Sequence, residues 1–166
     1  MVRIIWKKKT DSGVSKCRYE IARFSFIQED GLDCVTANYS TKPNGHVKVF
    51  NCGRNGGLNG TLDCATGDAY VPDPSQPAKL AVTFAGPNSP TANYWVVSTD
   101  YVSYSVVYSC FSILGLYHFE YAWILSRAPT MSQDTINKLE SILANYQVPV
   151  QAFYFTPQKG CTPYKQ

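Results

Sequence analysis

Between residues 18 and 126 the chain writes one unit eight times: a short run rich in β-branched and aromatic residues, then a cluster of turn formers. The runs are RYEIARF (18–24), CVTANYS (34–40), HVKVFNC (46–52), GTLDCATGDAYV (60–71), AKLAVTF (78–84), NYWVVST (93–99), YSVVYSC (104–110) and HFEYAWILS (118–126). Strand signals recurring at this interval build an all-β sandwich or barrel. The separators carry their own chemistry. KPNGH can turn through Asn44-Gly45, RNGGLNG supplies glycines for positive φ, and the proline-rich VPDPSQP suits a connection at a barrel's end better than a strand interior.

One segment departs from this pattern. SQDTINKLESILANY places Ile136, Leu139, Ile142, Leu143 and Tyr146 on one helical face, with Ser132 as N-cap and Asp134 in the first turn. After Pro149, VQAFYF alternates again and reads as a ninth strand. The expected fold is all-β: an eight-stranded antiparallel up-and-down barrel, one C-terminal α-helix packed outside it, and a short ninth strand. Such closure removes edge strands and leaves an interior able to hold one small ligand.

At 166 residues the chain is one domain's worth. Charged residues make up only 16%, with 15 basic against 12 acidic and no basic stripe interleaved with stacking residues, so nucleic acid is excluded as a partner. Lys7-Lys8-Lys9 reads as a solvated run. No stretch is long and apolar enough for a transmembrane segment. The six cysteines show no CxxC spacing, and only His46 and His118 could join them as metal ligands, which favours disulfides over a metal site. Cys52 and Cys64 face each other across one predicted hairpin, close enough to form a local staple. Asn38-Tyr39-Ser40 and Asn59-Gly60-Thr61 fit the glycosylation pattern, in keeping with an oxidising, extracellular setting. The opening MVRIIWKKK reverses the order of a secretory signal. Residues 1–17 are therefore expected to be an atypical, poorly ordered N-terminal segment whose natural counterpart was lost or replaced, and 18–166 a single barrel domain.

These runs resemble the lipocalin family, and within it the apolipoprotein D branch and the invertebrate bilin- and carotenoid-binding members. The resemblance rests on Thr99-Asp100-Tyr101 between the sixth and seventh runs, on Arg127 closing AWILSR, and on YEIARF, TANYS and PAKLAVTF, and it covers roughly residues 18 to 163. It implies that Thr99, Asp100, Tyr101 and Arg127 are structural, with Asp100 accepting backbone N–H groups in its turn and Tyr101 covering the closed end. It also implies a Cys34 to Cys161 bond and a partner for Cys110 nearer the N-terminus. Cys17 is the one candidate partner; if the bond is absent, Cys17 is a free thiol between two cations.

The resemblance further implies a pocket walled by Tyr39, Phe84 and Trp123. Alternation adds Trp95, Tyr108 and Phe50 to that wall. The implied function is extracellular binding and transport of a small hydrophobic ligand: a fatty acid, steroid, retinoid or tetrapyrrole. No cofactor is required beyond a bound lipid or pigment, and no catalytic residue is expected; receptor or lipoprotein association and oligomeric state stay open. Two other classes compete. One is a lipid-directed enzyme with Cys17 or Cys110 as nucleophile, for which neither histidine has an evident orienting acid. The other is an interaction or inhibitor protein whose barrel is filled by its own side chains.

The family's first signature is missing. Where Gly and Trp are expected before YEIARF, the chain has Lys16-Cys17-Arg18, which brings Arg18 towards Arg127 or leaves it pointing to solvent. An arginine over the signature tryptophan contributes on the order of 0.5–2 kcal/mol. Arg18→Trp is therefore expected to raise the thermal midpoint by about 2–6 °C, followed by circular dichroism. An unchanged midpoint would count against this alignment.

Overall fold

The computed structural model describes residues 16–26, 29–84, 89–114 and 116–161. The other residues, including 1–15 of the expected N-terminal segment, lie outside the described residues. Lys16 and Cys17, assigned to that segment above, instead begin the first strand.

The strands are β1 (Lys16–Phe24), β2 (Leu32–Thr41), β3 (Val47–Asn55), β4 (Thr61–Tyr70), β5 (Lys79–Phe84), β6 (Ala92–Thr99), β7 (Tyr104–Ile113), β8 (Tyr117–Ser126) and β9 (Phe153–Phe155), with α1 (Gln133–Ala144) between β8 and β9. Consecutive strands from β2 to β8 pair in order, and β1 pairs with both β8 and β2, so the sheet closes into an eight-stranded up-and-down barrel. All these pairings are antiparallel. β9 bonds to the far end of β1, outside the ring, pairing Phe155 with Ala22.

Three places break the period of 2. Register shifts fall between Glu20 and Ala22, between Asp33 and Thr36, and between Val96 and Ser98. An extra residue at a bulge reverses which later side chains face inward. Arg18 and Glu20 both point into the barrel, as alternation requires. After the bulge Ala22 and Phe24 pack outside, and Arg23 turns back towards Glu20.

Two apolar clusters result. Ile21, Ala22, Phe24, Val106, Ala122 and Ile124 on the barrel's outer wall meet Ile136, Leu139 and Leu143 of α1. The helix begins where expected, with the Ser132 hydroxyl accepting from Thr135 N at 3.3 Å. Tyr146, expected on the buried face, lies past the helix end and is 70% exposed. Inside the barrel, Ala37, Val47, Val49, Ala69, Leu80, Val82 and Val96 gather round Tyr39 towards the closed end.

At that end the Asp100 carboxylate organises the β6–β7 turn. Its Oδ1 accepts from the backbone N–H groups of Val102 (3.0 Å), Ser103 (2.8 Å) and Tyr104 (3.0 Å), and the Ser103 hydroxyl donates to Oδ2. Burial pushes this carboxyl up, but the hydrogen bonds hold it down to about 2. Thr99 Oγ1 accepts from Tyr101 N, which lets Tyr101 adopt φ +65°. Tyr101 remains 43% exposed and only partly covers the closed end. Arg127 Nη1 donates to the carbonyl of Cys17 at 3.1 Å and ties β1 to the end of β8.

Disulfides join Cys34 to Cys161 and Cys52 to Cys64. Cys17 and Cys110 are unbonded: Cys110 lies beside Tyr108 in the upper part of β7, whereas Cys17 is near Arg127 at the base. Burial pushes the Cys17 thiol up, against the opposing pull of Arg127, which disfavours its ionised form.

Leu139 is fully buried in the seam between α1 and the barrel. Leu139→Ala should cost about 2–5 kcal/mol in denaturant unfolding, and it should leave the barrel interior unaltered because the residue packs outside it.

Candidate ligand-binding cavity

The barrel is hollow above its closed-end cluster. A cavity of about 900 Å³ opens at the end lined by Phe26, Glu29, Pro90 and Thr91, so the filled-barrel alternative does not describe this interior. Its wall is mostly apolar.

Alternation and one glycine explain how the aromatic side chains reach it. Trp123 and Leu125 of β8 share the inner face and line the cavity. Phe84 lines it from the end of β5, opposite Gly67 of β4, where an added Cβ would lie 3.0 Å from the Phe84 ring. The glycine makes the room that this ring occupies. Phe26, from the β1–β2 connection, sets its ring edge-on to Tyr121 (5.0 Å) and Trp123 (5.9 Å). Tyr39 of β2 and Tyr94 of β6 meet across the lower cavity with their hydroxyls 2.9 Å apart.

Of the six expected pocket residues, Tyr39, Phe84 and Trp123 therefore line the cavity, and Trp95, Tyr108 and Phe50 do not. Strand parity is the reason. Tyr94 takes the inner position and Trp95 the outer, where its ring lies 6.4 Å from Tyr108 and 5.0 Å from Lys79 Nζ. Tyr108 donates to Glu120 Oε1 at 2.6 Å on the outer wall, and Phe50 lies under Lys48 Nζ at 5.5 Å.

A buried polar cluster that the sequence did not suggest fixes the β1–β2 connection. Arg23, 2% exposed, donates to Glu20 Oε1 (2.6 Å), Thr156 Oγ1 (3.1 Å) and the carbonyls of Glu29 (2.5 Å) and Leu32 (3.0 Å). Glu20 and Glu29 both line the cavity. Trp123 Nε1 donates to Glu29 Oε2 at 3.3 Å, so the connection and the indole hold each other. Burial first, and the neighbouring Glu20 second, push the Glu29 carboxyl up to about 8, against the opposing pull of Trp123 and Arg23. Burial likewise raises Glu20.

The remaining sequence candidates lie elsewhere. Asn38 is 6% exposed within β2 and offers no room for a glycan, whereas Asn59 is exposed in the β3–β4 turn. His46 does have an orienting acid, contrary to expectation: its Nδ1 lies 2.6 Å from Asp68 Oδ2, and Asp68 also pairs with Lys42. This surface group at the β2–β3 hairpin is remote from the cavity. Among the described residues no three His, Cys, Asp or Glu side chains are placed to hold a metal, and no helix is long and apolar enough to cross a membrane.

Comparison with known proteins agrees with this architecture. The model of the lipocalin-like domain matches residues 18–158. Apolipoprotein D of Bos taurus is 39% identical over 143 residues, covering 86% of this chain and 74% of that protein. The Lazarillo protein of Schistocerca americana is 35% identical over 146 residues, covering 86% and 66%. Lobster apocrustacyanin A1 superposes with a TM-score of 0.73 at 26% identity, over 87% of this chain and 77% of that one. With the closed barrel, its external helix and its hollow interior in place, these matches establish that the chain belongs to the lipocalin family.

Proposed function

We propose that this protein binds and carries a small hydrophobic molecule inside its barrel, outside the cell. The observation that carries the reading is the cavity of about 900 Å³, walled by Phe26, Phe84, Tyr121 and Trp123 and open at one end. Its size falls in the range of small-molecule sites, which are mostly apolar with a few fixed polar groups. A ligand burying about a dozen methylenes would gain roughly 10 kcal/mol at about 0.8 per CH₂. Association costs of several kcal/mol bring that towards micromolar binding, a scale suited to uptake and release. The two disulfides and the exposed Asn59 sequon support an oxidising, extracellular setting.

Titration with retinol, arachidonate and biliverdin, followed by tryptophan fluorescence, tests the reading. At least one should bind near micromolar, and Trp123→Ala should weaken it about tenfold or more through lost ring contact. Phe50→Ala, on the outer wall, serves as the control and should leave the affinity unchanged. No response to any of the three ligands would end the carrier proposal.

Glu29 makes this binding pH-dependent. A carboxyl raised to about 8 is neutral at pH 7, so the cavity wall beside Trp123 is less polar than its sequence suggests. Because the folded protein holds this proton and the unfolded chain does not, its contribution to stability falls as pH rises from the ordinary carboxyl range through about 8. Retinol affinity should decline as pH is raised from 7 to 9, when Glu29 ionises beside Glu20. Glu29→Gln should flatten that profile; an unchanged profile would show that another group is responsible.

A further inference from the structure

β1 carries two buried arginines in opposite circumstances. Arg23 has four acceptors within hydrogen-bond distance. Arg18 is equally buried, 2% exposed, yet neither Nη1 nor Nη2 reaches an acceptor among the described residues. A buried guanidinium without a counter-charge is among the most costly groups a fold can keep. Its surroundings do not offset that cost. Arg127 adds a like charge, and Asp100, the carboxylate within its electrostatic reach, is already occupied by its own turn.

Two further groups lie in the field of Arg18: the Tyr39 and Tyr94 phenols. Both line the cavity, whereas Arg18 does not; Arg18 pairs with Ala37, two residues from Tyr39 on the same inner face of β2. Burial pushes both phenols up, and the bond between them uses one of their two O–H groups. Of the three acidic residues lining the cavity, Asp63 lies on β4, and the other two are engaged elsewhere. Glu20 is engaged by Arg23 and Thr156, and Glu29 is held beside Trp123.

We propose that the closed end of this cavity is a carboxylate site: a fatty-acid-like amphiphile enters head first, its carboxylate accepting from the hydrogen-bonded Tyr39–Tyr94 hydroxyl pair and supplying the counter-charge of Arg18, with its tail along Phe84 and Trp123. The inference rests on the carrier reading and adds to it a ligand class and an orientation. It also gives a purpose to the residue that stands where the family signature has tryptophan. A charged acceptor makes a stronger hydrogen bond with a phenol than a neutral head group does in the same place.

Calorimetric titration at pH 7 with decanoate and with 1-decanol, identical in chain length, tests the proposal. Decanoate should bind about tenfold more tightly. Arg18→Met, which keeps an unbranched side chain without the charge, should reduce the ratio to about twofold or less by weakening the acid alone. Tyr94→Phe, which keeps the ring and removes one donor, should reduce it several-fold and covers the case in which Arg18→Met fails to fold. Equal affinity of acid and alcohol for the wild type, or a preference that survives either substitution in folded protein, would overturn the carboxylate site and leave the carrier reading standing. Binding of neither molecule would overturn the carboxylate site, and the carrier reading would fall with it only if retinol, arachidonate and biliverdin also gave no response.

Discussion

The position of β1 governs the rest of the molecule. It is hydrogen-bonded to β2, β8 and β9, and without it the sheet is an open curved ribbon with two exposed edges. Its bulge between Glu20 and Ala22 lets one short strand serve both faces. Below the bulge it sends Arg18 and Glu20 inward. Above it, Ala22 and Phe24 support the helix seam while Arg23 secures the connection over the cavity. Floor, wall and outer core thus depend on one interrupted alternation.

Much of the architecture was legible because period, turn chemistry and capping agreed. The eight runs, the Ser132 cap, the Asp100 turn and the Cys52–Cys64 staple are all local features, and local features can be read from a single sequence. Interior-facing side chains were harder. Tyr94 and Trp95 are neighbours of similar character, and nothing in the run NYWVVST says which of them turns inward. The partner strand sets that register. Phe50 and Tyr108 failed for the same reason. The Arg23 cluster was hidden more deeply, since Glu20 and Arg23 lie three apart and would point to opposite faces of a regular strand.

The cavity combines an apolar wall with unequal polar ends. Near its mouth, Glu29 is held neutral by burial and bonded to the Trp123 indole. Near its floor, a guanidinium lies behind two phenols. A binding site gains selectivity from a few such groups set in a hydrophobic surround, because each polar ligand atom that fails to find its partner is penalised. Such a gradient from neutral acid to cation would favour an anionic head at the floor over one at the mouth.

The Cys34–Cys161 bond encloses everything from the beginning of β2 to the end of β9 in one covalent circle. β1 alone among the barrel strands is threaded through no part of that circle. In a mechanical sense it is the detachable stave, kept in place by non-covalent contacts while its neighbours are hooped together. The strand that bears Arg18, Glu20 and Arg23 thus lies outside both disulfide loops and is held by its ladders to β2, β8 and β9.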